Sequence, residues 1–272
     1  MARSKAASLL RAIRNDDGGF GMRAGASSEA EPTALAALAL GDGEARDWLL
    51  RAQRDDGGFG LASGSLVHDA STGLAALALD PGPESERALD RLERSRAEFH
   101  GSTQAIPIAP DAVGWSWTIG TASWTEPTAR ALLALRLLRR DSSGIGDAVA
   151  LLRDREAVGG GWNYGNRIVL GEELPPFAQT TAIALIALQG LDVELEARGL
   201  RRLRSLWREE SAGGLSVATA LVALRLHGDG ETGDAARALD ALVVETQLLG
   251  DGVALGWAAL ATSGAWEAWR AA

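Results

Sequence analysis

Two carboxylates stand in the same phrase of this chain. Glu31 in Glu31-Pro32-Thr33 and Glu126 in Glu126-Pro127-Thr128 each precede a run of small apolar residues. A carboxyl group kept neutral in a dry site is a proton donor. At the start of a helix it is a charge that suits the positive end, with Pro at the first helical position. Trp115, Trp117, Trp124, Trp162 and Tyr164 lie in two segments between apolar runs. Aromatic faces there line an apolar pocket and stabilise a cation, or they fill a satellite core. Arg167 is a nearby cation for an anionic group on a ligand. His68 and Asp69 precede another apolar run. They read as a general-acid pair facing Glu31, or Asp69 reads as a helix cap.

Other chemistries are excluded or poorly supplied. The chain has no cysteine, so it has no disulfide, thiolate nucleophile or Cys-ligated metal. Three histidines, His68, His100 and His227, leave little for a His-based metal site. The runs Asp16-Asp17-Gly18-Gly19 and Asp55-Asp56-Gly57-Gly58 lack the alternating oxygens of a calcium loop and read as turns. The Gly-rich segment at 159–166 follows a helical pattern rather than a strand, against a dinucleotide site. No G-x-S-x-G nucleophile phrase occurs. The formal net charge of −9 disfavours nucleic acid and anionic lipid surfaces.

The elements that must position these groups are repeats. NDDGGFG begins at Asn15 and RDDGGFG at Arg54. Each is followed by a Thr and an apolar run, ALAALAL after Thr33 and GLAALAL after Thr72. The phrase returns after Thr128, Thr181 and Thr219, and after Val253 in the Thr column, which makes six units. Each unit has an amphipathic first half, with apolar residues at helical spacing. Its second half is apolar on every side, which requires burial all round. Twelve such helices predict an all-α protein. The economical arrangement is an (α/α)6 toroid of six helical hairpins, one domain over 1–272, with the apolar helices inside and no open end faces. The inner helices then start on one rim. Long outer-to-inner connections, about 98–125 and 157–178, carry the Trp-rich segments to it. Helix N-termini gathered there attract an anion such as a diphosphate or a lipid carboxylate.

These phrases resemble a known family. WLLRAQRDDGGFG (48–60) resembles the QW-type repeat of squalene and terpene cyclases, with Gln53 and the closing aromatic Phe59. The D-G-G-F/G-G-W and T-A-x-x-A-L phrases are shared more widely with protein prenyltransferase β subunits. The resemblance covers nearly the whole chain and implies the α/α toroid fold. Class II cyclases carry D-x-D-D-T-A, whose middle Asp protonates a polyene. Registering T-A on Thr33-Ala34 puts Glu31 in the protonating column, and Thr128-Ala129 puts Glu126 there. The same column holds Ala70, Gln179, Val217 and Asp251 in the other units. Pro32 replaces the third acid, and Glu stands where the family has Asp. Prenyltransferase zinc needs a Cys that this chain lacks.

The resemblance implies an isomerase or lyase of the terpene cyclase type that takes a hydrophobic, isoprenoid-like molecule. Glu126 and Glu31 are then the acid candidates, with Asp69 and His68 as polar support. Trp115, Trp117, Trp124, Trp162, Tyr164, Arg167 and Gln179 would line the pocket. No cofactor is implied, unless Mg2+ accompanies a diphosphate substrate. A second copy or a second toroid would supply the wall that two-toroid cyclases have. Two alternatives remain at this point. One is a non-catalytic toroid that binds a lipid or a partner protein. The other is a carbohydrate enzyme with Glu126 opposed to Glu172 or Glu173. Neither a signal-like start nor a membrane-length apolar stretch is read, which predicts a cytoplasmic chain.

Overall fold

The computed structural model describes residues 4–60, 69–110 and 112–271. Twelve α-helices dominate them: α1 (Lys5–Ala12), α2 (Ala30–Leu40), α3 (Gly43–Ala52), α4 (Thr72–Ala78), α5 (Pro83–Arg94), α6 (Thr125–Leu137), α7 (Gly144–Asp154), α8 (Ala178–Leu188), α9 (Val193–Glu209), α10 (Gly214–Leu226), α11 (Thr232–Glu245) and α12 (Gly252–Ser263). The expected all-α class holds, with one addition. Strands β1 (Ile168–Val169) and β2 (Glu172–Glu173) pair antiparallel within the long connection between α7 and α8. Among the described residues no helix is long and apolar enough to cross a membrane.

The two halves of each repeat sort as their patterns require. The even-numbered helices are almost wholly buried, whereas the odd-numbered ones bury a single stripe. Each even helix packs on the next, α2 on α4, then α6, α8, α10 and α12, and α12 packs on α2. Each odd helix leans on the even helix before it, as α3 does on α2, and α1 packs on α12. Small residues permit the close approaches. A Cβ at Gly73 of α4 would lie 2.7 Å from the Arg130 carbonyl oxygen of α6.

The repeated phrase has a hydrogen-bond meaning. The Thr side chain of an even-numbered helix accepts the backbone N–H of the aromatic residue after the glycines. Phe20 donates to Thr33 at 2.9 Å, Phe59 to Thr72 at 3.0 Å, Trp115 to Thr128 at 2.9 Å and Trp162 to Thr181 at 2.9 Å. The Asp pairs are turn chemistry, as expected. Asp17 accepts from the Gly19 N–H and Asp56 from the Gly58 N–H, each at 2.9 Å. Gln53 donates to the Gly57 and Glu84 carbonyls at 3.0 and 2.8 Å, tying its turn to α5.

At the other ends of three even-numbered helices, arginines answer the last carbonyls. Arg46 donates to Ala78 of α4 at 3.1 Å, and Arg136 to Ala187 of α8 at 2.6 Å. Arg225 donates to Ala261 of α12. Cations there complement the negative helix ends.

Candidate functional site

Glu31 and Glu126 both fall in the first turn of an inner helix, at its second residue. Pro32 and Pro127 occupy the third helical position rather than the first. Their missing N–H is still one that has no intrahelical partner. The structure brings the two carboxylates to one cation. Arg130, one turn further along α6, donates to Glu31 Oε2 at 2.9 Å and to Glu31 Oε1, and also to Glu126 Oε1. Glu126 is 2% exposed and Arg130 3%. Gln179, at the matching position of α8, donates to Glu126 Oε2 at 3.4 Å. The Trp117 ring lies 5.5 Å from the Arg130 guanidinium carbon, a cation–π contact.

The electrostatics follow from burial. Desolvation pushes the Glu126 carboxyl above its ordinary pKa, and Glu31 adds to that, while Arg130 works against it. Burial disfavours the charge on Arg130, but Glu31 and Glu126 outweigh it and hold its pKa above the ordinary arginine value. Glu29, partly buried beside Glu31, is also raised, first by desolvation and then by Glu31. An arginine favours the ionised form of a carboxyl it holds, and a carboxylate has no proton to give an alkene. The arrangement does supply a fixed ion pair that joins α2 and α6, with a hydrogen bond from Gln179 of α8.

Asp69 does not support Glu31. Its Oδ1 accepts from Arg54 at 2.7 Å and from Thr72 Oγ1 at 3.2 Å, and its Oδ2 accepts from Arg91 at 2.8 Å. Both oxygens are spent on bracing its own repeat against α5. His68 lies outside the described residues.

The aromatic set divides in three. Trp115 and Trp162 are core rather than pocket wall. Their indole N–H groups donate to the Leu92 carbonyl at 2.8 Å and the Leu152 carbonyl at 2.6 Å, near the ends of α5 and α7. They occupy the column that Phe20 and Phe59 fill in the first two units. Trp117 covers Arg130. Trp124 and Tyr164 reach the surface, 38% and 43% exposed.

Those last two residues form a groove of about 330 Å³ with Val169, Leu174, Pro175 and Phe177. Tyr164 and Phe177 rings lie 5.2 Å apart at 37°. Local backbone bonds place these side chains. Trp124 and Phe177 are the residues just before α6 and α8, and their N–H groups donate to the Trp115 and Trp162 carbonyls at 2.9 Å. The Tyr164 carbonyl accepts from Thr125 at 3.0 Å. Arg167 is exposed on the approach to β1, and its carbonyl accepts from Leu174 at 2.8 Å. Neither Glu31 nor Glu126 lines this groove. Glu172 and Glu173 are exposed on β2 while Glu126 is committed to Arg130, so they do not form the opposed pair a sugar hydrolase requires.

Two residues escaped the sequence reading. Arg130 is the one charge inside the run ARALLAL, and a charge there signals a buried partner. Phe177 follows Pro175-Pro176 immediately before an inner helix, where it stands in the same place as Trp124. Among the described residues no group of three or more His, Asp or Glu side chains comes together in a way that could hold a metal ion.

Among solved structures, a crystal structure of a protein from Actinoplanes matches with a TM-score of 0.57 and 18% sequence identity, over 89% of this chain and 79% of that one. The likeness is one of fold. No protein-family model matches the chain. No curated protein matches it.

Proposed function

We propose that this chain is an (α/α)6 toroid that binds a small apolar molecule of isoprenoid type in the groove between Trp124, Tyr164 and Phe177, without acid-initiated cyclisation. The packing of α12 on α2 supports the toroid, since it leaves no inner helix without two inner neighbours. The groove carries the binding reading. Trp124, Tyr164, Leu174 and Phe177 keep roughly two fifths of their surface open around one concave site, although the chain had a core in which to bury them. Its volume stands at the low end of the ~300–1,000 Å³ of small-molecule sites, which suits a short prenyl chain rather than a long polyene. The Glu31–Arg130–Glu126 pairing argues against a cyclase, because both acid candidates are tied to a cation and neither faces the groove. The non-catalytic toroid is therefore preferred over the isomerase or lyase that the repeats suggest.

Calorimetric titration with geraniol and farnesol tests this. Saturable binding is expected, weakened about tenfold or more in Trp124→Ala, since fully burying one aromatic side chain contributes about 1.5–3 kcal/mol. Incubation with squalene or prenyl diphosphates is expected to return them unchanged. A cyclic product that disappears in Glu126→Gln or Glu31→Gln would overturn the reading.

A further inference from the structure

Carboxyl groups stand at the two helix starts that abut the groove. The starts of α6 and α8 abut the groove through Trp124 and Phe177. Two helix N-termini would ordinarily draw an anion. Here their first N–H groups are already occupied. The Thr125 N–H donates to the Tyr164 carbonyl, and the Ala178 N–H donates to Glu210 Oε1 at 2.9 Å. Each end also carries a carboxyl group, Glu126 within the first turn of α6 and Glu210 against the first residue of α8. Among the described residues Glu210 accepts from two neutral donors, Ala178 N–H and Ser216 Oγ, the latter at 2.7 Å, and forms no ion pair. Arg130 sits between two carboxylates and neutralises one of them. Burial raises the pKa of the Tyr164 hydroxyl, and Glu126 and Glu210 add to the rise.

An opposing charge on the same connection is Arg167, which is exposed and has no ion-pair partner among the described residues; Glu172 and Glu173 share its hairpin. The wall itself offers aromatic faces, whose negative quadrupoles attract cations.

We infer that the groove takes an apolar organic cation, an alkyl or prenyl chain ending in an ammonium group, in preference to the phosphorylated or carboxylated chain of the same length. The inference rests on the groove being a binding site, and the test separates the two. The intact chain is titrated calorimetrically with decyltrimethylammonium, decanol and decyl phosphate, each below its aggregation concentration. The ammonium is expected to bind about tenfold tighter than the phosphate, with decanol between them. The gap should narrow in Glu210→Gln, which keeps an acceptor for Ala178, while decanol affinity stays unchanged. It should widen in Arg167→Gln. Phosphate binding as tightly as the ammonium, or a gap indifferent to Glu210→Gln, overturns the choice of charge and leaves the groove standing. Failure of all three probes to bind removes the groove itself.

Discussion

Arg130 forms a bidentate ion pair with Glu31, a residue of α2, across the intervening inner helix α4. The two carboxylates that the sequence offers as acids thus share one buried cation, and the pair is a brace between helices far apart in the chain.

Removing that cation should be costly. Arg130→Ala leaves Glu126 buried without its partner, and such losses cost about 3–5 kcal/mol. A triple variant, Arg130→Met with Glu31→Gln and Glu126→Gln, should recover most of the stability in urea titrations. If Arg130→Ala unfolds at the wild-type midpoint, the brace has no energetic role.

The raised pKa of Glu126 fixes the sign of a pH effect. The folded state holds this proton more tightly than the unfolded chain, whose value is near 4.5. The stabilisation is therefore complete below that pH and lost as pH rises through the folded value. Wild-type stability should fall from pH 5 upward more steeply than that of Glu126→Gln. Parallel curves in denaturant titrations would contradict this.

The tryptophans should separate into two classes. Trp162→Phe loses the bond to the Leu152 carbonyl and strands that acceptor, a loss of about 1–3 kcal/mol. Ligand affinity in the groove should not change. Trp124→Ala should do the reverse, lowering affinity with little effect on the thermal midpoint. A Trp162→Phe variant that binds weakly at full stability would return Trp162 to the pocket wall.

The β1–β2 turn carries avoidable strain. Leu170 and Gly171 both have positive φ, 55° and 81°, and Leu170 is 79% exposed. Asn tolerates that backbone far better in a two-residue hairpin turn. Leu170→Asn should gain about 1 kcal/mol, readable as a higher urea midpoint.

The helices were legible because their signals are local. A Thr followed by an apolar run marks each inner helix from Thr33 to Thr219, and burial all round follows from the lack of a polar face. Sorting the tryptophans was harder, yet partly readable. Trp115 and Trp162 each follow a glycine, as Phe20 and Phe59 do, and the structure gives the reason. A Cβ at Gly114 or Gly161 would meet the Thr128 or Thr181 hydroxyl at 2.3 or 2.9 Å. The aromatic after such a glycine is held in the core by that same hydroxyl. Trp124 and Tyr164 lie outside this register. The pairing of Arg130 with Glu31 had no local signal, since it depends on which helix start faces which. Composition showed the unusual arginine, and only packing supplied its partners.

The first and last helices are also stitched together, for α1 packs on α12 and the Ser4 and Thr262 hydroxyls lie 2.9 Å apart. A covalent link bridging that seam, paired with a cut at some other short joint between units, would give a circular permutant with every helix interface unchanged. In the proposed ring, any short joint between hairpins then serves equally as a starting point, and a permutant that fails to fold would count against closure.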